Sequence, residues 1–99
     1  MQFVTLAIGG PDVVFPLSTV LVEPFTLAAP ANAAGALLQR IDLSYPDGDH
    51  NLLSLQIDAI TRFVPGQSAG FVEVRFNLDS GSPDDGPIGV ALAILVVAE

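Results

Sequence analysis

The segment Ile88–Ala98 is the feature that most restricts the fold of this chain, because its eleven consecutive residues carry no polar side chain. A helix that crosses a membrane needs about 20 apolar residues, so this segment is too short to be one. Over its first half, large apolar residues alternate with glycine and alanine, which is the two-residue period of a β-strand. A strand with one solvated face would carry polar residues at alternate positions. We therefore predict a strand that is buried on both faces.

Two arrangements would cover the second face of this strand. In the first, another subunit packs on that face, where small side chains permit close approach; the residues are Gly89, Ala91, Ala93, Leu95 and Val97. In the second, the Ala- and Pro-rich segment 24–36 of the same chain covers them. We predict the first arrangement, because a chain of 99 residues supplies few elements for a third layer and only 14% of its residues are charged, against about 25% in typical domains.

The two-residue period recurs along the whole chain and predicts an all-β fold. Stretches with this pattern are separated by turns rich in Gly and Pro; they are Gln2–Ile8, Val13–Val22, Leu37–Tyr45, Leu53–Phe63, Phe71–Leu78 and Ile88–Ala98. A chain of 99 residues is long enough for one domain. We predict that residues 1–99 form a single small antiparallel β-sandwich or a jelly-roll-like barrel of about six strands.

Several prolines interrupt the strand pattern in the N-terminal third. Gly9–Asp12 has the composition of a turn. Pro16 cannot donate a hydrogen bond to a neighbouring strand, so the strand around it should lie at a sheet edge or contain a bulge. We interpret the segment 24–36 as one long connection that crosses the fold, and a short helix that begins at Pro30 is the alternative.

Charged side chains in the predicted strands lie opposite large apolar ones. In the third strand, Leu37 shares a face with Ile41 and Leu43, and Arg40 and Asp42 share the other face. Each arginine has an acidic residue two or four positions away on the same face, a spacing that predicts ion pairs across neighbouring strands. These six residues are Arg40, Asp42, Asp58, Arg62, Glu73 and Arg75.

Charge and cysteine content exclude several functions. The chain has three arginines, no lysine and a net charge of −8, whereas binding to nucleic acids or to anionic membranes requires clustered basic residues. We predict neither partner. With no cysteine, the chain has no disulfide, no thiolate nucleophile and no thiolate zinc site. The lack of cysteine and of a basic N-terminal segment predicts synthesis inside the cell without a signal peptide.

One motif resembles a catalytic one. Gly66–Gly70 matches G-x-S-x-G, which serves as a nucleophile elbow only where a strand turns into a helix. An alternating strand follows Ser68 instead, and the single histidine, His50, precedes it in the chain. We therefore predict that Ser68 is not catalytic and that the protein is not an enzyme.

Acidic residues concentrate in two predicted turns, 46–51 and 79–87. If strands three to six form a meander, both turns lie at one end of the sheet and the turn 65–70 lies at the other. Carboxylates are ligands that Ca²⁺ prefers, so a structural calcium ion is one interpretation. Its candidate ligands are Asp47, Asp49, Asp84 and Asp85. The interpretation that we favour is a solvated acidic rim that keeps an apolar protein soluble.

These features together predict a non-enzymatic structural or assembly protein that works as a subunit of a larger oligomer. Its predicted partners are copies of itself and a larger protein shell, and a viral or phage particle component such as a capsid decoration protein fits the size and the composition. The alternative is a calcium-dependent β-sandwich module that holds a carbohydrate or a peptide at the acidic loops. No other cofactor is predicted.

Overall fold

The computed structural model describes residues 1–44, 54–79 and 88–99, without the side chains of residues 11, 12, 54 and 79. The described strands are β1 (Gln2–Phe15), β2 (Ser18–Thr26), β3 (Ala34–Ser44), β4 (Ser54–Arg62), β5 (Ala69–Asp79) and β6 (Ile88–Ala98). Sheet A has the order β1-β6-β3 and sheet B the order β2-β5-β4, and all pairs are antiparallel. The two sheets pack as a sandwich and do not close into a barrel, so the predicted β-sandwich is confirmed.

Strands three to six do not form a meander. β3 and β4 lie in different sheets, and β6 inserts between β1 and β3. β1 contacts β2 and β3 contacts β4 across the sandwich, so both pairs form its sides. The predicted strand Val13–Val22 is wrong, because β1 ends at Phe15 and Pro16 lies between β1 and β2. The two strands that Pro16 separates each lie at the edge of a sheet, as predicted for the segment around it.

The predicted turn at Gly9–Asp12 is wrong, because β1 continues through these residues to Phe15. Gly9 lies opposite Ala91 and Val14 opposite Gly89, so β1 carries three more residues than β6 over this interval and forms a bulge. Gly9 has a φ of 76°, and a Cβ atom there would overlap the carbonyl oxygen of Val90. The glycine thus bends the strand against its neighbour instead of reversing it, and the chain leaves the sheet only after Phe15.

A second bulge corrects the predicted faces of β3. Leu38 lies opposite Ile94 and Arg40 opposite Ala93, so β3 contains one extra residue between them. One extra residue exchanges the two faces of a strand. Leu37 therefore lies on the outer face of sheet A together with Arg40, and not on the inner face with Ile41 as the alternation predicted.

The Ala- and Pro-rich connection crosses from sheet B to sheet A, as predicted, but it is limited to residues 27–33 and contains no helix. Leu27 and Ala31 are buried in the core. The Leu27 N–H donates to the Ser68 carbonyl at 2.6 Å, and two further N–H groups of the connection donate to the Glu99 carbonyl. The connection therefore closes one end of the sandwich and does not lie over the outer face of β6.

The core is built mainly from the two central strands. In β5 and β6, every second residue points inward and is almost fully buried; these residues are Val72, Val74, Phe76, Leu78, Ile88, Val90, Leu92, Ile94, Val96 and Ala98. The aromatic pair Phe15–Phe76 lies edge to face with a centroid distance of 5.6 Å, and Phe25–Phe63 is stacked at 6.1 Å. The edge strands contribute side chains that are only partly buried. The inward face predicted for β6 is therefore confirmed.

Candidate interface on the outer face of sheet A

The outer faces of the two sheets differ in polarity. Charged and amide side chains cross the outer face of sheet B from β4 to β5, beside apolar residues of β2; they are Gln56, Asp58, Arg62, Glu73, Arg75 and Asn77. The outer face of sheet A is apolar over most of its area. Its rows, in the order β1, β6, β3, are Phe3, Val97, Gly35; Thr5, Leu95, Leu37; Ala7, Ala93, Arg40; and Gly9, Ala91, Asp42.

The structure places four of the predicted interface residues in one line along the middle of this face. Ala91, Ala93, Leu95 and Val97 are half-buried between β1 and β3. Gly89, the fifth, is buried. The Ser44 side chain lies against it, so that a Cβ atom on Gly89 would be 2.7 Å from the hydroxyl oxygen of Ser44. The predicted set is thus contiguous, and its second face is covered by neither the connection 27–33 nor another described element.

Two residues of this face were missed by the sequence analysis. Phe3 and Leu37 are each 59% exposed and flank β6 on either side. The signal for Phe3 was present, since it alternates with the inward-facing Val4 and Leu6. No local signal identifies Leu37, because the bulge in β3 reverses its direction.

The face has a raised side and a recessed side. Phe3 on β1 and Gly35 on β3 lie in the same row, on opposite sides of Val97. A groove of about 430 Å³ surrounds the glycine; its lining residues are Ala33, Ala34, Gly35, Ala36, Leu37, Val97 and Glu99. A Cβ atom on Gly35 would meet no atom within 4 Å. An exposed aromatic ring and an open apolar groove therefore occupy matching heights on the two edges of the sheet.

The face carries little net charge although the chain carries −8. Its charged residues in the four rows are Arg40 and Asp42, and the Arg40 Nε donates to the Asp42 Oδ2 at 2.8 Å. Both side chains are exposed, and a pair of this kind contributes little to stability. Beyond the four rows, Glu99 lines the groove at the end of the face and adds one acidic side chain beside it.

The G-x-S-x-G motif lies at the far end of the sandwich in the hairpin between β4 and β5. Gly66 adopts a φ of 90° in the turn, and β5 begins at Ala69, directly after Ser68. The expectation that a strand follows the serine is confirmed, so the geometry of a nucleophile elbow is missing. His50 lies outside the described residues.

The strand ends next to the two acidic segments lie at one end of the sandwich. Ser44 pairs with Gly89 and Ser54 with Asp79, and both pairs lie at the end of the sandwich opposite the connection 27–33. The prediction that the two acidic turns are neighbours falls on residues outside those described. The candidate calcium ligands Asp47, Asp49, Asp84 and Asp85 lie outside the described residues. Within the part of the chain that is described, no three His, Cys, Asp or Glu side chains are placed to share a metal ion. The calcium site stays a prediction.

Glu73 is the centre of an ion-pair group on the outer face of sheet B. Its Oε2 lies 3.2 Å from the Arg62 Nη2 on the neighbouring strand and 2.8 Å from the Arg75 Nη2 on its own strand. The first contact confirms the predicted pairing across strands, whereas the second, like Arg40 with Asp42, runs along one strand. Burial raises the pKa of the Glu73 carboxyl, but the Arg62 hydrogen bond and the two guanidinium charges outweigh it and lower the pKa.

We expect Glu73→Gln to destabilise the protein at neutral pH and to have little effect in acid. The folded-state pKa of Glu73 is lowered, so its contribution to stability is present above the unfolded-state value of about 4.3 and is lost as the pH falls through the folded-state value. Urea unfolding of both proteins between pH 7 and pH 3 measures the difference. A difference that stays constant over this range would contradict the assignment.

Fold and surface together define a small acidic β-sandwich whose sheet A has a mostly apolar outer face that no other described element covers. The described residues include no helix of the length and hydrophobicity that would cross a membrane. Comparison with protein-family models, with curated proteins and with solved structures finds no match to this chain.

Proposed function

We propose that this chain is a non-enzymatic structural subunit, and that copies of it assemble through the outer face of sheet A. The proposal rests on one observation. In the strands of sheet A, the positions that alternate with the buried ones and point outward are mostly apolar, where polar residues would be expected. An antiparallel sheet with one face in water normally presents polar residues on that face. Here Phe3, Leu37 and Leu95 stand where such residues would be expected, and contiguous exposed apolar surface marks sites of association.

The area of the face suits a dimer of moderate strength. Three strands spaced about 4.8 Å apart and rising about 3.3 Å per residue over the eleven residues of β6 cover about 500 Å². Two copies would therefore bury about 1,000 Å², which is close to the lower limit for a specific interface. A second copy is a suitable occupant, because Arg40 and Asp42 balance each other within the four rows and the acidic Glu99 lies only at the end of the face, beside the groove.

The raised side and the recessed side of this face are complementary in shape, so the face can pack against a second copy of itself. A two-fold axis that runs parallel to β6 between two facing copies of sheet A places β1 of one copy over β3 of the other. The same operation keeps each row at the same height, so Phe3 of each copy lies above Gly35 of the other. The phenyl ring would fill the groove that the glycine leaves open. Such an isologous contact uses the same patch on both subunits.

The larger partner in this proposal is a protein shell, such as the capsid of a virus or phage that a small acidic β-sandwich would decorate. The support for this part is the size and the acidity of the chain. A shell presents many equivalent sites, so contacts of modest area become effective through repetition.

The mass of the protein in solution tests the dimer. Native mass spectrometry over a dilution series is expected to give a dimer or a larger assembly at micromolar concentration. Leu37→Glu should weaken association at least about 100-fold, because two buried leucines are lost per dimer, each worth about 1.5 kcal/mol or more. Val22→Glu is the matched control, since Val22 is 58% exposed on the outer face of the other sheet. A wild-type monomer, or equal effects of the two variants, would overturn the proposal.

Gly35→Val separates association from folding. Gly35 has room for a side chain and lies in a strand, so the folded monomer should tolerate valine without loss of melting temperature. The added side chain would occupy the groove that receives Phe3 of the second copy, and the dimer should dissociate. A Gly35→Val protein that stays folded and associates as tightly as the wild type would refute the packing of Phe3 on Gly35.

A further inference from the structure

The four edge strands of the sandwich differ in how well they resist pairing with another chain. Unpaired edges are commonly protected by proline, bulges or inward-pointing charges. β2 contains Pro24 and has Glu23 on its inner side opposite the buried Val72. β3 is interrupted by the bulge after Leu38, and β1 by the bulge after Gly9. β4 pairs with β5 without interruption over all nine of its residues and contains neither proline nor glycine.

β4 also carries charges that can specify a partner. Asp58 and Arg62 lie on the same outward face and are separated by Ile60. The regular first part of β1, Gln2–Gly9, has a free edge of similar length but no charged side chain. Opposite charges directly across a strand pair stabilise it, whereas like charges destabilise it. Charge pairing can therefore select one register of strand pairing at the edge of β4, but not at the edge of β1.

Both copies of β4 keep the same face outward only in registers that pair even-numbered residues with even-numbered residues and odd-numbered residues with odd-numbered ones. Centring the two-fold axis on Asp58 places that carboxylate opposite its own copy. Centring it on Ala59 places Asp58 opposite Ile60. Centring it on Ile60 places Asp58 of each copy opposite Arg62 of the other, which is the favourable arrangement on both sides of the axis.

We propose that the outer edge of β4, which pairs with no described strand, pairs antiparallel with β4 of a second copy about a two-fold axis through Ile60. In this register, the five residues 58–62 of one copy pair with residues 58–62 of the other, and all of them belong to β4. Sheet B then continues from one subunit into the next. Pro65 would face Leu55 and ends the ladder, because proline has no N–H to donate. To reach Asp58 of the second copy, Arg62 would exchange its 3.2 Å contact with Glu73, which keeps Arg75 at 2.8 Å.

This surface is separate from the one on which the proposed function depends. It lies at the edge of sheet B, whereas the first interface is the face of sheet A, so either contact can fail without the other. A pair formed through sheet A does not bring the two Ile60 residues together. Cross-linking at Ile60 therefore reports on the β4 edge alone.

Cysteine cross-linking tests the axis directly, because the chain contains no cysteine of its own. Directly opposed cysteines in an antiparallel pair lie within the distance that a disulfide spans. Ile60→Cys should form a covalent dimer as its main product under mild oxidation. Val22→Cys is the control, since Val22 and Ile60 both lie beside Glu73, on opposite edges of sheet B. Equal yields from the two variants, or no covalent dimer with Ile60→Cys at micromolar concentration, would overturn the proposal.

Charge exchange tests the register. In the Ile60→Cys background, Asp58→Arg and Arg62→Asp alone each place like charges opposite one another and should reduce the yield of covalent dimer about tenfold. Mixing the two variants restores both opposite-charge pairs, so the mixed dimer should form with the original yield and be identified by its mass. Failure of the mixture to recover would refute the register centred on Ile60.

Discussion

Ile94→Ala is expected to lower the free energy of unfolding by about 3–4 kcal/mol, which is in the usual range for removing a large aliphatic side chain from a packed core. Ile94 is 0% exposed in the middle of β6, and its neighbours in the pairing are Leu6 and Leu38 on the two flanking strands. The cavity would lie on the inner face of the central strand β6, which is held on both sides by β1 and β3 and cannot relax far. A loss of this size should reduce the melting temperature by about 15 °C or more in a domain of 99 residues.

The adjacent residue provides the control for this prediction. Leu95→Ala removes a side chain of the same size from the outer face of the same strand. At high dilution, where the proposed dimer is dissociated, its cost should be about 1 kcal/mol. At higher protein concentration the cost should increase, because a bound partner stabilises only the folded state. Equal effects of the two variants at high dilution would contradict the inward direction of Ile94.

Gly9→Ala is expected to destabilise the protein by about 3 kcal/mol, through two separate causes. A positive φ of 76° costs a residue with a Cβ atom about 1–2 kcal/mol. The new Cβ atom would also overlap the Val90 carbonyl oxygen, so β1 must move away from β6 and lose pairing on both sides of the bulge. Thermal and urea unfolding measure the loss.

Gly66→Ala isolates the first of these causes. Gly66 has a similarly positive φ of 90°, but a Cβ atom there would meet no other atom within 4 Å. Its substitution should therefore cost only the conformational part, about 1–2 kcal/mol. If the two variants lose the same stability, the close approach of β1 to β6 at the bulge is not a real constraint on this chain.

The strands were predictable because their signals are local. Alternation of polar and apolar residues between Val72 and Leu78, and the unbroken apolar sequence from Ile88, depend only on neighbouring positions. The end of the turn at Ser68 follows from glycine in the same way, whereas the break after Phe15 was not predicted, although Pro16 marks it.

The bulges and the strand order could not be obtained from such signals. Gly9–Asp12 has the composition of a turn, and only the proximity of Val90 makes it a bend within a strand. The single extra residue after Leu38 has no distinguishing composition, although it decides the direction of Leu37. The row that joins Phe3 to Gly35 exists because β6 lies between β1 and β3, and that arrangement depends on pairings between distant parts of the chain.

The central position of β6 also determines when sheet A can form. Both of its neighbours, β1 and β3, precede β6 in the chain by more than forty residues and pair with no other described strand. During synthesis β1 and β3 therefore stay unpaired, with apolar side chains exposed, until β6, the last of the described strands, has been made. Pairings over such sequence distances fold slowly and leave intermediates open to aggregation. Sheet B, which contains the hairpin β4–β5, is complete earlier and provides the surface on which sheet A assembles.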